Sequence, residues 1–464
     1  MSITKILSDY SANLKLADLP AEVVTRTRFL LLDLVGNIIR GRYDAESTPA
    51  MLAAVRALGL GHGTSGVFGD PARYSPMGAA LLNGALAHSL DFDDTHAAGS
   101  LHPGAPVIPA AIAAAEMTGA SGADLLAAIV AGYEVTCRVA LALPGGAHYQ
   151  RGFHPTATCG AFGAAAAAGR VFGLDGDAIA SALGIALSQS AGSLQFLANG
   201  AWTKRFQVGW AAAAGLTAAT LAREGFKGAA DALEGKAGFL RAYAPDPVPE
   251  RAIQGLGQEF ELMRTAVKPY PSCRYGHAGI DAMLALRAEH NLQPAEVERI
   301  VYGTSRSGMM LVGEPPEKRA NPQNVVDGQF SGPFVLSTAL VTGAMGWDSY
   351  RELQNPAIRA LLPKVICEDD ADAQALFPNK ISGKVTITAR GQTFSKFITD
   401  PKGEPENFLS EAELRAKFAG LTDAVLTAPQ AAKLADVVLA VQSAPDVSAM
   451  LRAAVPLAEV KLAG

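Results

Sequence analysis

The run HSLDFDDTH, residues 88–96, places Asp91, Asp93 and Asp94 between His88 and His96, and His102 follows in SLHPGAP. Imidazoles beside carboxylates can move protons between carbon and oxygen, or hold a hard cation. The spacing lacks the sixth-position glycine and twelfth-position glutamate of an EF-hand loop, and it is not H-E-x-x-H. No metal site is therefore expected. Zinc on His96 and His102 is the alternative. A solvated acidic helix end, with Thr95 or Asp94 capping the next segment, explains part of the run. If the segment is extended, Leu90 and Phe92 face one way and Asp91 and Asp93 the other.

A fourth early histidine, His154, lies in RGFHPTAT. His102 and His154 each precede a proline able to open a helix at its first turn. The positive end of a helix favours neutral imidazole, the form a general base needs. For one such histidine alone, capping a helix or packing in a turn is the commoner role, but two such segments in one domain favour a shared polar pocket. Cations come from WTKRFQVGW, with Lys204 and Arg205, and from VKPYPSCRYGH, with Lys268, Arg274 and His277. Set among aromatics and prolines, they suit a small dianion or trianion. They could equally form ion pairs with the acids of DFDDTH. Cys273 as a nucleophile would need its pKa lowered by Lys268 and Arg274. No ordered Cys-His-acid triad is readable, and there is no G-x-S-x-G.

The elements that must position these groups are mostly helices. At 464 residues the chain is too long for one core. Apolar periodicity predicts helices over 47–59, 76–89, 106–118, 122–143, 156–173, 176–190 and 207–224, besides one following Pro20. The texture changes near 262. VERIVYGTS and GKVTITARGQTFSKFI read as strands, with SGPFVLSTALVTGAM and AIRALLPKV as helices between them. After the linker DPKGEPEN, Ser410 and Glu413 form a capping box and helix returns. The predicted fold is mainly α: a large all-helical domain, 1–262 and 405–464, with an inserted smaller α+β domain, 263–404. A cleft between two such domains is a common place for a small ligand.

Only 18% of residues are charged, the formal net charge is -5, and no long basic run occurs, which excludes nucleic acid as the main partner. There is neither a dinucleotide-binding fingerprint nor a P-loop, so no nucleotide cofactor is expected. Cys137, Cys159, Cys273 and Cys367 are far apart, as in a reduced cytosolic protein. Charges interrupt the first twenty residues, and apolar stretches are short, so no signal peptide and no membrane span are expected. The expected location is the cytoplasm.

Several segments together resemble the MmgE/PrpD family. They are NGALAHSLDFDDTH, HPGAPVIPAAIAAAE, AGYEV, GFHPTATCGAFGAAAAAGRVFGLD, KRFQVGWAAAAGLTAATLAREGF and KPYPSCRYGHAGIDA, in that order from about residue 80 to 285. The resemblance implies a helical domain plus a smaller α+β domain, a homodimer, and metal- and cofactor-independent chemistry on a small polycarboxylate. The family includes 2-methylcitrate dehydratases, cis-aconitate decarboxylases and an iminodisuccinate epimerase, which share proton transfer beside a carboxylate. By that analogy His102 and His154 move protons, Asp91 orients a histidine or lysine, and Lys204 offsets developing charge. Thr95 and Lys268 are implied around the substrate, and Cys273, Arg274 and His277, read from the same segment as Lys268, are candidates beside them. Asp93 and Asp94 are implied as structural, and His96 as a neighbour without a fixed role.

Two positions depart from the decarboxylase branch. Cys273 stands where those enzymes carry a catalytic histidine, and Phe334 where they have a tyrosine. The expected activity is therefore a hydro-lyase, eliminating water from a hydroxylated di- or tricarboxylate. Epimerisation of a dicarboxylate and decarboxylation are the alternatives, and a non-catalytic carboxylate-binding protein is the reading from another class.

Overall fold

A computed structural model describes residues 2–457. The protein is mainly α. Its chain divides into two compact units, 1–266 with 411–464, and 267–410.

The first unit begins with α1 (Ile3–Asn13), α2 (Ala21–Asp44), α3 (Thr48–Ala57), α4 (Pro76–Ala87), α5 (Gly104–Thr118) and α6 (Gly122–Leu141). It continues with α7 (Pro155–Val171), α8 (Gly176–Leu187) and α9 (Thr203–Arg223), and regains helix at Glu411–Thr422 and Ala428–Leu439. Local chemistry starts several of these. Ser75 accepts a hydrogen bond from the Gly78 amide with Pro76 in the first turn of α4, and Asp175 caps α8 through Ala178 N. His154 is the N-cap of α7, and Pro155 opens it. Pro103 differs from the expectation: it is the N-cap of α5, so that helix opens on Gly104.

Small residues let the helices cross closely. A Cβ on Gly209 of α9 would lie 2.3 Å from the Leu81 carbonyl of α4, which nothing but glycine permits. This crossing matters for the site, because α4 ends beside His88 and α9 carries Lys204 near its start. The unit is not wholly helical. Thr95 and His96 pair antiparallel with Ala266 and Thr265, and Ser65–Gly66 pairs with Arg73–Tyr74. The first of these ladders keeps Thr265 and Ala266 with the helical unit, past the expected boundary at 262. Among the described residues no helix is long and apolar enough to cross a membrane.

The second unit holds a four-stranded sheet of β1 (Val297–Thr304), β2 (Val365–Asp369), β3 (Gly383–Ala389) and β4 (Gln392–Ile398), in the order β2-β1-β3-β4. β3 and β4 form a hairpin whose two-residue loop, Arg390 and Gly391, has positive φ at both positions, as the twist of paired strands favours. Alternate residues of β3 are buried. Ile300, Tyr302, Val385 and Ile387 form a core with Ile280 and Met283 of helix His277–His290 and with Phe334 and Leu336 of helix Gly332–Thr342. β2 was not expected. AIRALLPKV reads as helix, yet the helix ends at Leu361 and Val365 begins a strand parallel to β1. β2 is a short edge strand with little alternation, so periodicity does not reveal it.

Candidate active site

Helix α4 delivers His88 as its C-cap residue, and the chain then turns sharply. Asp91 has φ +54°, a left-handed conformation that aspartate tolerates better than most side chains. The segment is therefore not extended, and the predicted two-sided alternation does not form. Leu90 and Phe92 are buried as expected, but Asp93 is fully buried too. The two acids diverge. Asp91 Oδ1 accepts from Lys204 Nζ at 2.8 Å. Asp93 Oδ2 lies 2.7 Å from His88 Nδ1, and Asp93 Oδ1 lies 3.5 Å from His102 Nδ1.

Three imidazoles gather around this turn. The His88 and His102 rings meet edge to face at 4.8 Å, and the His154 ring lies 5.7 Å from that of His88. The His88 side chain is fully buried while 15% of the His102 side chain is exposed, so of this pair His102 is the one a ligand can reach. The His102 amide donates to Thr156 Oγ1 of α7, which ties the loop before α5 to the helix that His154 caps. Gln207 Nε2 lies 2.8 Å from His154 Nδ1. Burial, then the electrostatic influence of neighbouring His88 and Lys204, holds the His154 pKa well below its ordinary value. Burial works against the Lys204 ammonium, but Asp91 outweighs it and keeps the pKa above the usual one.

The flanking residues are anchors. Asp94 accepts from Tyr133 Oη at 2.7 Å and from the Gly104 amide at 3.2 Å, and burial raises its pKa to about 8. His96 accepts from the Gly99 amide at Nδ1 and meets Glu261 with Nε2 at 3.0 Å. Zinc shared by His96 and His102 has no geometric support, because both His96 nitrogens are engaged there. Thr95 Oγ1 is buried and has no protein hydrogen-bond partner among the described residues.

The other implied site residues lie in the second unit. Lys268 is buried. Cys273 is half-buried, and its amide donates to the Gln329 carbonyl at 2.9 Å. Arg274 forks onto the Glu404 carboxylate, so its guanidinium already has a protein partner. His277 is buried at a helix start, 3.2 Å from the Ser272 carbonyl and edge-on to Tyr270. Phe334 is a core residue stacked near Tyr350.

Within the first unit, Asp91 and Lys204 thus meet directly, while the His88 ring lies between those of His102 and His154. Its partner Asp93, expected from sequence to be structural, is a member of this cluster. Helical spacing held the one usable signal for Gln207, three residues after Lys204 on the same helix. His88, Asp93 and His102 could also bind a cation, since one ligand atom from each lies within 4.8 Å of the others. Their present contacts are those of an Asp-His hydrogen bond, in which a carboxylate orients an imidazole and steadies it when it takes a proton.

Residues 5–252 match the MmgE/PrpD N-terminal domain and residues 270–443 the MmgE/PrpD C-terminal domain. The chain is 29% identical to the cis-aconitate decarboxylase-like protein oryM of Aspergillus oryzae, covering 97% of this chain and 96% of that one. It is 27% identical to a cis-aconitate decarboxylase of Aspergillus terreus, over 97% of this chain and 95% of the relative. It is also 29% identical to the cis-aconitate decarboxylase of Homo sapiens, over 97% and 94%. With both family domains matched in order along nearly its whole length, this chain belongs to the MmgE/PrpD family.

Proposed function

We propose that this protein is a lyase acting on a small tricarboxylate, and that its reaction opens with proton transfer at a carbon beside a carboxylate. The observation that carries this reading is the carboxylate of Asp93 set between His88 and His102, with Lys204 held charged by Asp91 at the other end of the same turn. His102, the more exposed of the pair, takes the carbon-bound proton. Asp93 steadies the imidazolium that results. Lys204 offsets the negative charge that spreads onto the substrate carboxylate.

Departure of a β-hydroxyl as water, carrying the proton that His102 took from carbon, completes the reaction in the reading we favour, because Cys273 replaces the histidine that the resemblance assigns to decarboxylases. Loss of CO2, with the His102 proton returned to carbon in its place, is the second reading, and the full-length similarity to relatives named as cis-aconitate decarboxylases favours it. These residues need no cofactor for either outcome.

NMR in D2O distinguishes the outcomes. The protein is incubated with 2-methylcitrate, citrate, cis-aconitate and iminodisuccinate in turn. Water loss identifies a dehydratase and CO2 release a decarboxylase. Deuterium uptake with inverted configuration identifies an epimerase and removes the lyase reading. If none of these acids reacts or exchanges, the site is a carboxylate-binding one and the lyase proposal fails.

A further inference from the structure

The side-chain amide of Gln207 has one acceptor and two donors, and its neighbours assign all three. The Ser193 amide donates to Gln207 Oε1 at 2.9 Å, which fixes the oxygen end. Gln207 Nε2 donates to the Ser193 carbonyl at 3.1 Å. Its remaining hydrogen points at His154 Nδ1, 2.8 Å away. Reversing the amide would set donor against donor and acceptor against acceptor at Ser193, so the backbone there selects the orientation. That backbone is itself tied down: the His154 amide donates to the Gly192 carbonyl at 3.1 Å and the Leu194 amide to the Gly152 carbonyl at 2.8 Å.

An amide nitrogen can only give hydrogens, so His154 Nδ1 must supply a lone pair. Its proton therefore sits on Nε2. Protonating Nδ1 as well would place an N–H against the Gln207 NH2. The surroundings act in the same sense, since burial, His88, Lys204 and His148 all oppose the charged form, and Asp91 alone among the main influences favours it. The N-terminus of α7 adds its positive end.

We propose that Gln207 is a positioning residue that holds His154 as a neutral Nε2–H hydrogen-bond donor. Its part in the reaction, which rests on the lyase reading above, is to stabilise the oxyanion that forms on the substrate carboxylate when the carbon proton leaves. This replaces the expectation from sequence. A helix N-terminus does favour neutral imidazole, but the lone pair that a base would use is turned to Gln207. A neutral imidazole at such a position can polarise an oxygen without transferring a proton.

The test begins without substrate. Nitrogen-15 NMR of the full-length protein labelled at histidine should show His154 with a protonated Nε2 and a pyridine-type Nδ1. That state should persist through the range where an ordinary histidine, pKa about 6.5, becomes charged. Gln207→Glu puts a carboxylate at Nδ1 and should draw the proton there and raise the pKa of His154. With whichever acid the wild type converts, its kcat should fall about 10²-fold, as when one oxyanion donor is lost, with a smaller change in KM. His154→Gln keeps a neutral N–H donor and should retain more activity than His154→Ala, and it serves if Gln207→Glu does not fold. A protonated Nδ1 in the wild type, an ordinary titration of His154, or equal loss in His154→Gln and His154→Ala would overturn the proposal. Turnover of none of the acids would remove the lyase reading and its oxyanion role, while the NMR result still decides the tautomer.

Discussion

The Lys417 ammonium donates to the carbonyl oxygen of Phe92 at 2.9 Å, between the two aspartates that diverge into the site. It also forms an ion pair with Asp33 at 2.5 Å and lies 3.8 Å from the centre of the Phe92 ring. Asn37 Nδ2 approaches the same carbonyl at 3.4 Å. A helix near the C-terminus thus holds the turn that sends Asp91 to Lys204 and Asp93 to His88.

Lys417→Met should therefore damage catalysis at a distance. Loosening the turn displaces two carboxylates at once, and a misplacement of about 1 Å can cost about 10²-fold. Breaking a buried pair costs about 3–5 kcal/mol when the partner stays charged. Burial already lifts the Asp33 pKa to about 6 despite Lys417, so in the variant Asp33 takes up a proton and the stability loss is smaller. Lys417→Arg should recover part of the rate. Asp423→Asn, which weakens the Arg40–Asp423 pair between the same two helices, should not lower it. Steady-state kinetics and thermal unfolding of the three variants check this. Equal kcat in Lys417→Met and wild type would sink it.

Asp94 should make the fold less stable as pH rises. Burial raises its pKa to about 8 from an ordinary 3.8, and Asp33 is raised to about 6 in the same way. A carboxyl raised on folding contributes stability that is fully present below its unfolded pKa and is lost as pH climbs through the folded one. Stability from these two groups accordingly falls between about pH 4 and pH 8. Asp94→Asn keeps an acceptor for the Gly104 amide and can donate to Tyr133, so it should fold and flatten that decline. Urea unfolding at several pH values measures the slope. An unchanged slope in Asp94→Asn would show that Asp94 is ionised in the native state at neutral pH.

Much of this frame was legible in the sequence. Helical periodicity located α4 to α9 within a few residues, because small apolar residues recur there between capping and glycine signals. The β3–β4 strands showed as β-branched alternation. The site itself was half legible. Asp91, Lys204, His102 and His154 stood out by type, whereas Asp93 looked structural because DFDD reads as alternation until one residue adopts positive φ. Lys417 sits 325 residues from Phe92, and no local pattern could announce that bond. Gln207 shows its role only through the donors and acceptors around it.

Asp93→Asn should be the most damaging single change that leaves the fold intact. The isosteric amide keeps packing but no longer stabilises an imidazolium and can favour the wrong tautomer, a defect that costs about 10⁴-fold in Asp-His systems. Thermal unfolding should barely move, while kcat collapses and KM changes little. A metal reading of the same residues makes a different prediction. Exhaustive chelation would abolish activity in the wild type, and one added cation would restore it. On the acid-base reading chelation has no effect, so the chelated enzyme decides between the two.

Lys204 and Asp91 should separate binding from chemistry. Burial lowers the Lys204 pKa, and Asp91, with a smaller contribution from Asp93, raises it above the ordinary value. In Asp91→Asn the ammonium loses its main support, so its pKa falls from above the ordinary value. Activity that depends on Lys204 should then decline at the alkaline end of the pH profile, at a lower pH than in the wild type. Lys204→Met removes the charge at every pH, raising KM and lowering kcat together, because a cation that meets a carboxylate serves both ground state and transition state. Lys204→Arg restores charge but not the compact point-charge geometry, and should recover KM more than kcat. The pH profiles of kcat and kcat/KM for the three variants provide the measurement. An alkaline limb unmoved in Asp91→Asn would mean that another group sets it, and that the 2.8 Å pair serves the turn alone.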